Sequence, residues 1–316
     1  MEIYLIGLAV ALVGGLLMSR LTRLLHLPAV TAYLVAGLLL GPFFLGRLNV
    51  PGLGFNTLEE VNVLSIVSQT ALGFIAFAMG NEFRLSQLRT IGSRAIIIGI
   101  LQAVITTIVV DVILLLLHLF FPHIISVPCA ITLGAIAAAT APAATLMVVR
   151  QYKADGPMTR LLMLVVALDD AVGLLLFSVS FGIATALSNG QVSVLAVVVE
   201  PIVEILLSVG LGGFMGLLLH WVERFFHSRS KRMSLSVAFV MLTVGLSMLE
   251  FQIGPVHCGF SLLLVCMMTG TIFCNVCPTS EELMERVDGW TMPLNILFFV
   301  ISGAELDLNV LSQPVT

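Results

Sequence analysis

Two adjacent acids, Asp169 and Asp170, stand inside the apolar run Leu164-Val165-Val166-Ala167-Leu168-Asp169-Asp170-Ala171-Val172-Gly173-Leu174-Leu175. An ionised aspartate at the centre of an apolar helix costs about 2.5–3.5 kcal/mol on insertion scales. Acids held at that depth mark ion and proton pathways. Neighbours on a helix point about 100° apart. One of the two can therefore face a water-filled cavity while the other faces a neighbouring helix. Such a carboxylate holds a proton or a small cation, but not both together, and that competition is sufficient for exchange.

A second chemical feature precedes the pair by about thirty residues: Gly134-Ala135-Ile136-Ala137-Ala138-Ala139-Thr140-Ala141-Pro142-Ala143-Ala144-Thr145. Pro142 has no N–H and collides with the carbonyl four residues earlier, so it frees backbone acceptors in mid-span. Small neighbours let water or an ion reach that backbone, which lipid tolerates only beside protein or a polar cavity. Asp111 is a candidate for lining the same cavity, or for a structural place against another helix. His257 reads as interfacial, and Gly212 with Gly216 as a helix-packing face. Cys274 and Cys277 make a single C-x-x-C, where a zinc or redox site needs a second pair or nearby histidines. They read as packing residues, and no cofactor or structural metal is expected.

The elements that must position these residues follow from composition. The 316 residues are 59% hydrophobic and 10% charged, with mean hydropathy +1.12. Soluble domains carry about 25% charged residues, so this chain is expected to be an all-α polytopic membrane protein. A span needs about 20 mostly apolar residues. Ten such stretches fall near 3–25, 30–47, 61–80, 95–119, 126–149, 160–187, 197–223, 234–250, 256–275 and 290–306. The first begins Met1-Glu2 and lacks a basic n-region and a cleavage site, so it reads as a retained span. Thirteen of the fourteen Lys and Arg residues fall on one side of this layout, with Arg47 alone on the other. The positive-inside rule places the thirteen in the cytoplasm and the N-terminus outside. The polar connections are too short to separate soluble domains.

A faint repeat links span 3, ending Phe77-Ala78-Met79-Gly80-Asn81-Glu82-Phe83-Arg84-Leu85, to span 10, ending Val300-Ile301-Ser302-Gly303-Ala304-Glu305-Leu306-Asp307-Leu308. Gly80 aligns with Gly303, Glu82 with Glu305 and Leu85 with Leu308. The two spans lie an odd number apart, so the copies cross the membrane in opposite senses, as in secondary transporters. The expected layout is a first repeat over 1–187, a linker helix over 197–223 and a partial second repeat over 234–316. Helices matching spans 4 to 6 are then absent from the second copy, and the chain reads as about three helices short.

These residues together resemble the monovalent cation/proton antiporter superfamily, in its Kef-type and bacterial sodium/proton exchanger branch. Leu27-Pro28 with Ala36-Gly37-Leu38-Leu39-Leu40-Gly41-Pro42 is similar to the family's opening signature. Thr140-Ala141-Pro142 stands where the family has its unwound crossover helix, and Asp169-Asp170 where it has its paired carboxylates. Phe298-Phe299 with Gly303 resembles a later motif. The resemblance implies an inverted-repeat antiporter fold of thirteen helices, about ten of them present, and a homodimer. It implies that Asp170 carries the cation and the proton, that Asp169 is its paired acid, and that Thr140 and the backbone at Ala141 and Pro142 line the site. The transported ions would be H⁺ and Na⁺ or K⁺, the setting a plasma or inner membrane, with lipid and no nucleic acid as partner. Alternatives are the transmembrane part of a ligand-gated K⁺ efflux system and an inactive product of a longer gene. An intramembrane aspartyl protease would need acids on separate helices in Y-D and G-x-G-D contexts, which are missing, so no enzyme is expected.

Overall fold

The computed structural model describes residues 2–24, 27–48, 50, 54–80, 83–85, 93–140, 154, 156–188, 200–249, 251–253 and 256–308. Each of the ten apolar stretches holds a helix among these residues. The helices are α1 (Glu2–Leu24), α2 (Ala29–Leu40), α3 (Leu58–Val63), α4 (Ser65–Gly80), α5 (Ser93–Phe120) and α6 (Val127–Ile136). They continue with α7 (Pro157–Ser188), α8 (Glu200–Glu223), α9 (Arg229–Ser247), α10 (Leu262–Val276) and α11 (Ser280–Ala304). The fold is all-α apart from a two-stranded antiparallel ribbon, β1 (Phe251–Ile253) on β2 (Val256–Cys258).

Several stretches depart from the expected single span of about 20 residues. The stretch near 256–275 opens as β2, and its helix begins only at Leu262. His257, expected at an interface, pairs through its backbone with Gln252; its side chain is outside the described ones. The last stretch is longer than expected and bends by 43° between Ser280–Val287 and Gly289–Ala304. Pro293 explains the bend, since it cannot donate to the carbonyl of Gly289. Among the described residues, four helical segments are long and apolar enough alone to cross a membrane: Tyr4–Thr22, Ala29–Leu48, Ile96–Phe120 and Ile202–Glu223.

α5 shows why lipid is the solvent. Ile97, Leu101, Ile105, Ile108, Val112, Leu116 and Leu119 form one stripe at helical spacing, each half or more exposed. Ala103 and Thr107, on the other side, are buried. The helix is apolar outside and small or polar inside, the reverse of a soluble amphipathic helix.

The chain divides into two compact units, one from the segments up to Ile75 and from Glu282 on, the other from Ala76–Glu281. The first has a core of Ala11, Ala36, Leu40, Phe55, Val61, Val300 and Ile301. Within it α2 lies directly on α11. A Cβ added at Gly37 would overlap the Val300 carbonyl oxygen, and one added at Gly303 would overlap that of Leu34. Only glycine allows backbones this close, the usual way helices associate where lipid removes the hydrophobic drive.

The second unit contains the same arrangement. A Cβ at Gly270 would overlap the Phe77 carbonyl oxygen, and one at Gly80 that of Met267. Phe77 and Gly80 precede Val300 and Gly303 by 223 residues, while Met267 and Gly270 follow Leu34 and Gly37 by 233. The α4–α10 and α2–α11 contacts are thus made by corresponding atoms. Also in the second unit, α5, α6 and α7 pack mutually, α8 lies along α10, and α9 rests on both.

Candidate functional site

α6 stops after ten residues. Its N-terminus is capped by Ser126, whose hydroxyl accepts from the Cys129 N–H at 3.3 Å, with Pro128 in the first turn. At the other end the ladder tightens: Ala138 N–H donates to Ala135 O and Ala139 N–H to Ile136 O, both at 3.2 Å. These are i→i−3 bonds, the form in which helix ends close. The break therefore begins at Ala137, earlier than the mid-stretch position expected from Pro142. Continuing the helix through 142 would leave the Ala138 carbonyl without its donor, and the residue before a proline is turned away from helical geometry. Ala141 and Pro142 themselves lie outside the described residues. Thr140 is described, beyond the helix end.

α7 brings Asp169 to this break. Gly173, one turn further on the same face, has Ala139 as its nearest neighbour, about 3.5 Å from where a Cβ would stand. Asp169 is fully buried. Its Oδ2 accepts a hydrogen bond from Gln102 Nε2 of α5 at 2.8 Å. Its Oδ1 is enclosed and has no partner, and the Thr140 hydroxyl is equally enclosed and unpaired. The two groups face one another without completing a bond of good geometry. Two buried polar groups thus stand beside each other at the end of α6 with hydrogen-bonding capacity unused. Asp170 follows in α7; its side chain lies outside the described ones.

Asp111 of α5 comes to the same three helices by another contact. A Cβ at Gly134 would overlap the Asp111 carboxylate, and Asp111 Oδ1 is buried without a partner. Gly134 lies less than one turn before the end of α6. Asp111 thus meets the body of α6 at Gly134, while Asp169 and Thr140 meet at its end. The described hydrogen-bond partner of Asp169 is the neutral Gln102. Gln102 was missed in the sequence reading. Its signal was that of an amide in mid-span, in Ile98-Gly99-Ile100-Leu101-Gln102-Ala103-Val104.

A helix that ends within an apolar stretch beside a second helix with a buried acid is an arrangement found in secondary transporters. The sequence places the chain within that class. Residues 8–316 match the family model "Sodium/hydrogen exchanger, transmembrane", and the chain belongs to this family of multi-pass membrane transporters. It is 31% identical over 94 residues to K(+) efflux antiporter 5 of Arabidopsis thaliana, a stretch that is 30% of this chain and 14% of the plant protein. Its fold matches that of the sodium proton antiporter MjNhaP1 from Methanocaldococcus jannaschii, solved at pH 8, with TM-score 0.67 and 20% identity. That match covers 96% of this chain and 71% of the archaeal one.

Proposed function

We propose that this chain is the membrane domain of a proton-coupled monovalent cation antiporter, exchanging H⁺ for Na⁺ or K⁺ by alternating access. The observation that carries the reading is the half-satisfied Asp169. Gln102 fixes one carboxylate oxygen, and the other is open toward Thr140 at the end of a broken helix. The fixed oxygen sets the geometry of α7 at this depth, and the residue beside it, Asp170, alternates between proton and cation. Asp169 is the paired acid that tunes it, with Thr140 and the backbone at Ala141 and Pro142 as neutral ligands and Asp111 as a wall of the same cavity. Corresponding glycine contacts in the two units support an inverted repeat over 1–187 and 234–316, joined by the helix over 197–223. The N-terminus is outside, in a plasma or inner membrane, and the working form is a homodimer.

A second reading differs in the cation. The plant relative is named for potassium and the archaeal structure for sodium, so Na⁺ and K⁺ are tested side by side. In everted membrane vesicles bearing the protein, adding the transported cation should collapse a preformed pH gradient. Asp170→Asn should reduce the response to background, and Asp169→Asn should shift its pH dependence or charge coupling. Full exchange by Asp170→Asn would refute the carrier assignment.

A further inference from the structure

The cytoplasm-facing ends assigned above to α8 and α10 hold a cluster that the exchange reaction does not use. His220 and Glu223 lie three residues apart on α8, on one face, and Cys277 caps the end of α10. One ligand atom from each falls within 4.8 Å of the others. Glu223 and Cys277 are 3% and 4% exposed, so neither is a casual surface group.

We propose that His220, Glu223 and Cys277 form a binding site for one zinc-class divalent cation. An imidazole, a carboxylate and a thiolate are the mixed N/O/S set that borderline-soft metals take, whereas Mg²⁺ and Ca²⁺ want oxygen alone. Donors bound to one tetrahedral zinc stand about 3.2–3.8 Å apart, from bond lengths of about 2.0–2.3 Å. Small side-chain rotations bring the three groups to that spacing. An independent sign comes from His220, whose Nδ1 is buried with no hydrogen-bond partner. A ring nitrogen enclosed and unpaired beside two buried ligands lacks an occupant.

The surroundings are already ordered for a ligand role. Glu223 Oε1 accepts from the Thr279 hydroxyl at 3.0 Å and faces Arg232 Nε at 3.4 Å. Glu223 Oε2 accepts only the Cys277 thiol, at 2.8 Å. One oxygen is thus anchored and the other is available, the division found where outer partners orient a metal ligand. Cys277 Sγ also lies 3.3 Å from the Thr279 hydroxyl. Burial, reinforced by the neighbouring Glu223, holds the Cys277 thiol above its ordinary value, so the apo site is neutral at sulfur. On binding, the S–H bond breaks, the proton leaves to water, and the metal takes its place between Sγ and Oε2. His220 coordinates through neutral imidazole, and Arg224, whose Nη2 lies 2.9 Å from His220 Nε2, withdraws to solvent. No electron is transferred. Occupancy would clamp the end of α8 to that of α10.

Co²⁺ is the probe, because thiolate ligation gives it a charge-transfer absorption band in the near ultraviolet. Titrated into the metal-free full-length chain in detergent, Co²⁺ should raise this band to saturation at one equivalent, and Zn²⁺ should abolish it by competition. Cys277→Ser should lose the band, and Cys274→Ser should keep it. His220→Ala changes only a partly exposed residue; eluting as a monodisperse species, it should bind Co²⁺ at least tenfold more weakly. No thiolate band in the wild type, a band surviving Cys277→Ser, or wild-type affinity in folded His220→Ala would each overturn the proposal. Since none of these readings involves ion exchange, failure here leaves the transport reading intact.

Discussion

The two glycine contacts, α2 on α11 and α4 on α10, share their backbone geometry and differ in what surrounds it. On α10, the Thr271 hydroxyl donates to the Gly80 carbonyl at 3.3 Å and Cys274 Sγ approaches it at 3.6 Å. Asn275 Nδ2 donates to Phe83 O at 2.9 Å, and its Oδ1 accepts from Leu85 N–H at 2.7 Å. The positions on α2 that correspond to Thr271, Cys274 and Asn275 are Leu38, Gly41 and Pro42, none of which has a polar side chain. The chain leaving α4 is therefore pinned to α10 by side-chain hydrogen bonds, while the α2–α11 contact has glycine and apolar residues at the corresponding positions. The two contacts share a backbone geometry, and the α4–α10 copy adds direction-specific side-chain bonds to it. Dispersion contacts tolerate small shear in a way that an amide bonded through both its ends does not.

The most severe way to break the comparison is to remove the close approach itself. Gly80→Ala and Gly303→Ala should each force the helices apart and cost about 1–3 kcal/mol or more. Thermal denaturation in detergent should show a large drop in Tm for both. Equal loss at the two sites would show that the backbone contact sets the cost, whereas no loss at Gly303 would undo the equivalence. A smaller effect should distinguish the copies. Asn275→Leu removes both bonds to 83–85 and should cost about 1–3 kcal/mol, read as faster amide exchange at Phe83 and Leu85; Leu38→Ala, farther from any polar partner, should leave that exchange unchanged. The smallest change is Thr271→Val, which deletes the 3.3 Å bond to Gly80 O together with the hydroxyl's 2.9 Å bond to Met267 O within α10 and should cost about 0.5–1.5 kcal/mol. A cost as large as that of Asn275→Leu would mean that the lock rests on Thr271.

Much of this was legible in the sequence because lipid imposes simple rules. Ten apolar stretches gave ten helix positions, and the pairing of Gly80 with Gly303 pointed to the two glycines that the structure places against carbonyls of α10 and α2. The buried acids were legible as anomalies of depth. Less legible was anything set by side-chain direction across helices. Gln102 reaches Asp169 over 67 residues of sequence, and no periodicity in either helix announces the pair. The end of α6 also escaped, because an alanine run is neutral about where its helix stops; closure by i→i−3 bonds decided it before the proline did. The Cys274-x-x-Cys277 spacing does not tell what each thiol faces, for a related reason. Its second cysteine faces His220 and Glu223, which lie more than fifty residues away, while its first turns to Gly80.

The shortness of α6 has an electrostatic consequence. Ten residues rise about 15 Å, half of a hydrocarbon core of about 30 Å, so the helix ends where the dielectric screening of water is weakest. The aligned peptide dipoles place about half a negative charge at that end, beside Thr140 and Asp169. This partial charge carries no proton and cannot be titrated away. In the proposed exchange it would draw a cation toward the site at every pH, and replacing both aspartates with asparagine should leave a weak residual affinity for the metal ion.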